Sequence, residues 1–268
     1  MRLVYIGLLV SAVAASSATQ AQPSILGGTR EDFRRYCAGC HGNAGDGLGE
    51  NADYIDPKPR DFTLATFKCR STPSGSLPTD DDLYNTVRRG LVNSNMPSWR
   101  PLADDQVHQL VEYIKTFSPR WKAEKPGTPI SIPPEPAVTT DDILAGRALF
   151  QKMECWKCHG PEGRGNGPSA STLTDSKDQP IKPFNFAASS RFKCGSTNED
   201  LYKIFMTGLD GTPMPSFADN FKGDDAWHLV HFLRTLQQEE RPEKVVWQQY
   251  LSTHQGQLKP IGPDGGGQ

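Results

Sequence analysis

Cys37-Ala38-Gly39-Cys40-His41 and Cys155-Trp156-Lys157-Cys158-His159 stand 118 residues apart in a chain of 268. Each set has two thiols three positions apart with a histidine directly after them. Two such sulfurs can add across the vinyl groups of a porphyrin while the imidazole reaches the iron, which is c-type haem attachment. A structural zinc site closes four ligands per metal and needs a second cysteine or histidine pair, which neither motif has. A thioredoxin-like redox pair needs a βαβ setting that the flanking residues lack. The expectation is therefore two covalently bound haem c groups. One is attached at Cys37 and Cys40, the other at Cys155 and Cys158, with His41 and His159 as proximal iron ligands.

A haem iron then takes a sixth ligand or keeps a position open for chemistry. Met96 lies 55 residues after His41, and Met214 lies 55 residues after His159. Each is followed by proline, and a thioether in that place favours the reduced iron. Met153 and Met206 have no counterpart in the other half of the chain and read as gap-filling core residues. His108, His228, His231 and His254 do not pair between the halves either, and suit surface or satisfied-core roles. Met96 and Met214 are thus the expected axial ligands.

What positions these groups is one unit written twice. Phe67-Lys68-Cys69 recurs as Phe192-Lys193-Cys194, Leu83-Tyr84 as Leu201-Tyr202, and Met96-Pro97-Ser98-Trp99 as Met214-Pro215-Ser216-Phe217. A period this long excludes a solenoid and indicates a tandem duplication. Each copy should open with a helix, from Thr29 and Asp32 in the first and from Thr140 before Ile143 to Phe150 in the second. Each should close with an apolar stripe at helical spacing. The stripe is Val107, Leu110, Val111, Ile114 and Phe117 in the first copy, and Trp227, Val230, Leu233 and Leu236 in the second. A shorter helix, around 81–89 and 199–207, should precede each Met-Pro. No alternating strand pattern appears, so the fold class is all-α, with two tandem helical domains.

Gly42, Gly45, Gly47 and Gly49 match Gly160, Gly163, Gly165 and Gly167, and would let the backbone approach a flat cofactor closely. A calcium or phosphate loop at Asn43, Asp46 and Glu50 is disfavoured, because the second copy has Pro161, Arg164 and Pro168 there. A carbonyl near Glu50 or Pro168 is a candidate acceptor for the free imidazole nitrogen of each histidine. Trp99, Phe217 and Trp156 are candidates for the exposed porphyrin edges, with core packing the competing role.

The boundaries follow. Residues 1–21 read as a secretory signal peptide, with Arg2, an apolar run Leu3–Ala15 and small-residue cleavage sites ending at Ala18 or Ala21. Thirteen apolar residues fall short of the roughly 20 that a membrane span needs, although a retained anchor is the alternative. Domain 1 covers 28–120 and domain 2 covers 139–240. Between them, 121–138 carries Pro126, Pro129, Pro133, Pro134 and Pro136 and reads as a semi-rigid extended linker. Residues 241–268 read as a polar, frayed tail. With 29 basic against 31 acidic residues the net charge is −2, which gives no basic field for nucleic acid.

On Cys37, Cys40, His41 and Met96, and again on Cys155, Cys158, His159 and Met214, each copy resembles a class I c-type cytochrome. The whole chain is similar to periplasmic dihaem cytochromes of two such domains. The resemblance spans Gly28–Pro119 and Thr139–Gln237. It implies a helical fold around each haem and electron transfer between a redox donor and an acceptor protein. The chain departs from the family pattern at Glu50, where the second copy has Pro168. The entry helices also differ, since Phe33 precedes its cysteine by four residues and Phe150 by five.

Cys69 and Cys194 remain open at this stage. They could be apolar fillers, an interdomain disulfide, or a thiolate ligand like that of the thiosulfate-oxidising dihaem proteins. An electron carrier, not an enzyme, is the expected function. A dihaem peroxidase or thiosulfate-oxidising enzyme is the alternative, as is a cytochrome subunit of a membrane oxidase or dehydrogenase complex.

Overall fold

A computed structural model describes residues 25–265, so the expected signal peptide and the last three residues lie outside the described part. Ten α-helices make up the described chain, with no β-strand among the described residues beyond one isolated bridge, Thr174 to Pro180. No helix among them is long and apolar enough to cross a membrane.

In the first half, α1 (Ile25–Tyr36) leads into the short α2 (Ala38–His41), followed after a long loop by α3 (Asp80–Arg89), α4 (Asp104–Lys115) and the single turn α5 (Arg120–Ala123). The second half repeats the plan with α6 (Thr140–Lys152), α7 (Trp156–His159), α8 (Asn198–Thr207) and α9 (Asp225–Thr235), then adds α10 (Pro242–Thr253). In each half the first and last helices of the repeat cross: α1 packs on α4, and α6 on α9.

Local chemistry fixes the starts of α3, α6 and α8. The hydroxyls of Thr79, Thr139 and Thr197 accept from the backbone N–H of Asp82, Asp142 and Asp200, and each aspartate returns a bond to the cap's own N–H. That satisfies two orphan donors per helix and contributes on the order of 1 kcal/mol each. Two expected boundaries shift. The cap of α6 is Thr139 rather than Thr140, and Thr29 lies inside α1, whose start is four residues earlier.

Each domain has its own core. Phe33, Phe62, Phe67, Leu83, Val107, Leu110, Val111 and Ile114 fill the first. Phe150, Phe186, Phe192, Leu201, Phe205, Trp227, Val230 and Leu233 fill the second. The helix α9 is buried on nearly every side, because α10 and the linker cover the face that water covers on α4. This corrects the reading of the C-terminal segment as frayed: Pro242 opens a helix that packs on α6 and α9. The linker is extended beyond α5, as expected, but strapped down. Gly127 N–H donates to Leu77 O, Ile130 N–H to Ser71 O, and Ile130, Ile132 and Val138 pack on the second core.

The domains are joined covalently. Cys69 and Cys194 form a disulfide with their Cα atoms 5.1 Å apart, so both sulfurs are used and neither is available as a thiolate ligand. Beside it, the fully buried Arg70 side chain pairs with Asp210 of the other domain at 2.7 Å. Asp210 also accepts from Ser74 Oγ and Gly75 N–H.

Candidate functional site

The expected ligands of the first domain come together around one cleft. Cys37, Cys40 and His41 line it, and so does Met96, from the loop between α3 and α4. Its apolar walls include Phe62, Phe67, Leu83, Val87, Leu91 and Trp99. The space is about 1080 Å³ including its open mouth, at the top of the roughly 300–1,000 Å³ usual for ligand pockets.

His41 is held in place by three contacts. Its backbone N–H donates to Cys37 O as α2 turns, Phe62 stacks on its ring at 4.4 Å, and its Nδ1 lies 2.9 Å from Arg60 O. A bond from Nδ1–H to that carbonyl leaves Nε2 as the bare nitrogen for a metal. Burial pushes the imidazole pKa down against the opposing effect of the Arg60 carbonyl, so the ring is neutral, as an iron ligand must be. Burial also drives the Cys37 thiol up to about 12, with the Asp32 and Cys40 charges adding to it. The Cys37 thiol thus sits un-ionised in an apolar wall.

The second domain repeats these parts. His159 Nδ1 lies 3.0 Å from Phe184 O, Phe186 sits over the ring at 4.8 Å, and burial lowers the imidazole pKa. Burial holds the Cys155 thiol at about 12. Cys155 and Met214 both pack against the second core.

The two methionine loops are tied down alike. Met96 N–H donates to Ser94 Oγ and Leu91 N–H to Met96 O; Met214 N–H donates to Thr212 Oγ1 and Leu209 N–H to Met214 O. Below them, Trp99 N–H bonds Val87 O and Phe217 N–H bonds Phe205 O. Each loop is therefore closed on itself at one point and anchored to the preceding helix at another, in the same way in both domains. Met153 caps α6 and Met206 lies in α8, each against the second core.

One expectation is corrected. The acceptors for the histidines are Arg60 O and Phe184 O, not carbonyls near Glu50 or Pro168. The sequence does mark them: Lys58-Pro59-Arg60-Asp61-Phe62 recurs as Lys182-Pro183-Phe184-Asn185-Phe186. That pair sits 124 residues apart, so an alignment anchored on the 118-residue offset passes over it. Two of the loop glycines also make room within the protein itself. A Cβ on Gly47 or Gly165, both in the left-handed region, would meet Pro59 O at 2.9 Å or Pro183 O at 2.8 Å. The glycine therefore lets the loop after each histidine close against the segment that carries the acceptor carbonyl.

Trp99 lines the cleft, whereas Trp156 and Phe217 are buried core residues. The unpaired histidines have local partners: His108 stacks on Tyr84, His228 pairs with Asp142, His231 with Glu135, and His254 stacks on Tyr250. Among the described residues no three His, Cys, Asp or Glu side chains group as a site for a bare metal ion. A cleft presenting two cysteine sulfurs three positions apart and an oriented neutral imidazole, with a thioether also on its lining, fits a covalently held haem.

Two helical domains with such sites define a c-type cytochrome. Residues 143–237 match the family model for cytochrome c, and residues 28–114 match that for cytochrome C oxidase, cbb3-type, subunit III. A chain of the Kuenenia stuttgartiensis reducing HAO-like protein complex is similar at 44% identity, over 78% of this chain and 96% of that one, with a TM-score of 0.77. No curated protein matches the chain. The chain belongs to the dihaem c-type cytochromes, and its two cytochrome c domains serve haem-based electron transfer.

Proposed function

We propose that this chain is a periplasmic electron carrier with two covalently attached haems. Cys37 and Cys40 hold the first, ligated by His41 and Met96; Cys155 and Cys158 hold the second, ligated by His159 and Met214. The single observation that carries this reading is the first-domain cleft, which Cys37, Cys40, His41 and Met96 line together.

Bound haem supplies a one-electron iron couple. The chain's own residues do the rest. Arg60 O and Phe184 O orient the imidazoles and raise their basicity. The anchored methionine loops keep each sulfur in place, so that little rearrangement accompanies the change of charge. Phe62, Phe67 and Leu83 line the first cleft and would exclude water from a haem held there. If His41 and Met96, and likewise His159 and Met214, were to hold each iron, no position would be left for a substrate, which favours a carrier over a dihaem peroxidase. The thiosulfate-oxidising alternative calls for a thiolate ligand, and the disulfide uses both candidate sulfurs. Export through the residue 1–21 signal places the cysteines where a disulfide persists.

A second reading is supported by the relative's membership of a multi-protein complex. In it the chain docks on an enzyme subunit and carries electrons to or from it, the chemistry taking place elsewhere. Co-purification with a partner of that kind separates the two readings.

The test of ligation is to replace Met96 or Met214 with alanine in the haem-loaded protein. Each variant should keep two haems per chain while one of them loses its methionine-ligated low-spin spectrum and binds carbon monoxide. Two unchanged sites in either variant would remove that methionine from the assignment.

A further inference from the structure

Three cations gather between the domains, and no carboxylate among the described residues closes on them to ion-pair distance. Lys68 and Lys193 are the residues just before the disulfide cysteines, and the disulfide holds them close enough to repel one another. Arg60 reaches across to the second domain, where its Nη1 lies beside Gly211. All three are half-buried, and none makes a side-chain hydrogen bond or ion pair among the described residues. Asp56, Asp61 and Asp175 exert a field on them without closing to ion-pair distance, and Asp210, whose field also reaches Arg60, is taken by Arg70. Half-buried like charges without a counter-ion are costly, and a protein that fixes them with a covalent bond has a use for them.

The same three side chains line the cleft of the first domain, and Lys193 is the only lining residue that comes from the second domain. An occupant with an apolar body and carboxylate groups on one edge would fill this space and neutralise its charged corner. A haem has that form.

We propose that Lys193, together with Lys68 and Arg60, forms a cross-domain carboxylate site for the propionates of the haem held by the first domain. The second domain thereby completes the first domain's cofactor site and raises the potential of a haem it does not itself carry, because a cation near the ring favours the reduced iron. This rests on the haem assignment above.

The experiment is a crystal structure and a redox titration of the haem-loaded full chain, with Lys193→Gln and Lys193→Arg beside it. Lys193 Nζ should lie within hydrogen-bond distance of a carboxylate oxygen of the haem on Cys37 and Cys40. Lys193→Gln should keep two haems per chain and lower one haem's reduction equilibrium about tenfold, which is about 59 mV for one electron. Lys193→Arg should restore most of that loss, which a merely structural role would not produce. A lysine turned to solvent or to Asp56, or potentials unchanged in Lys193→Gln, overturns the proposal. Absence of haem from the wild-type chain would instead sink the haem assignment, and a pyridine haemochrome count reads that separately.

Discussion

Where α1 crosses α4, the buried Thr29 hydroxyl donates to Gln109 Oε1 at 3.1 Å. Where α6 crosses α9, Gly146 stands so near His228 that an added Cβ would overlap its carbonyl oxygen. One domain separates its crossed helices by a polar contact, and the other presses them together backbone to backbone. The second also covers α9 with α10 and the linker, which the first has no means to do for α4. Around the porphyrin site the domains barely differ. Both have the same histidine-to-carbonyl bond, the same phenylalanine against the imidazole and the same two backbone bonds tying the methionine loop. The duplication has kept the contacts that hold each histidine and each methionine loop, and let the helix crossings behind them drift.

Cutting the covalent tie probes how much the halves depend on each other, and should have the largest effect. Replacing Cys69 and Cys194 together by serine opens a link across 125 residues. It should lower stability by about 5 kcal/mol on the chain-entropy scale, read by urea unfolding of the haem-loaded protein. If the halves are independent, the transition should split in two; a small single shift would mean the non-covalent interface suffices.

The helix crossings come next. Gly146→Ala should cost about 3 kcal/mol, since backbone must move to make room for one methyl group. Thr29→Ala loses the side-chain hydrogen bond to Gln109 and should cost about 1 kcal/mol. Equal losses in calorimetry would contradict the contrast between the crossings.

The smallest effect concerns the interdomain pair Asp61–Lys177, 2.8 Å apart. Burial works against ionisation of Asp61, but bonds from Lys177 and Thr63 outweigh it and hold the carboxyl below its ordinary 3.8. Its contribution is therefore complete above that pH and lost as the pH falls through the lowered value. Between pH 5 and pH 3 the wild type should lose up to about 1 kcal/mol more than Asp61→Asn in urea titrations. Identical pH profiles would show that the pair contributes nothing.

The sequence was most legible where the chemistry is strictest. The two-domain helical plan, the stripes of α4 and α9 and the grouping of Cys37, Cys40, His41 and Met96 around one cleft could be read from residue type and spacing. Three features could not. The histidine acceptors lie on a repeat with its own offset, because the loop before Lys182 is longer than the one before Lys58. The helix α10 carries no clean stripe: Val245 is exposed while Val246 and Trp247 meet the core, so its polar composition hid it. The disulfide depends on a Cα separation that only folding of both halves creates.

The central claim is that a methionine sulfur completes the coordination of each iron. Near-infrared magnetic circular dichroism of the oxidised, unmodified protein tests it directly. Two low-spin haems with the histidine–methionine signature are the expected result. A high-spin or bis-histidine signal at either iron would contradict it.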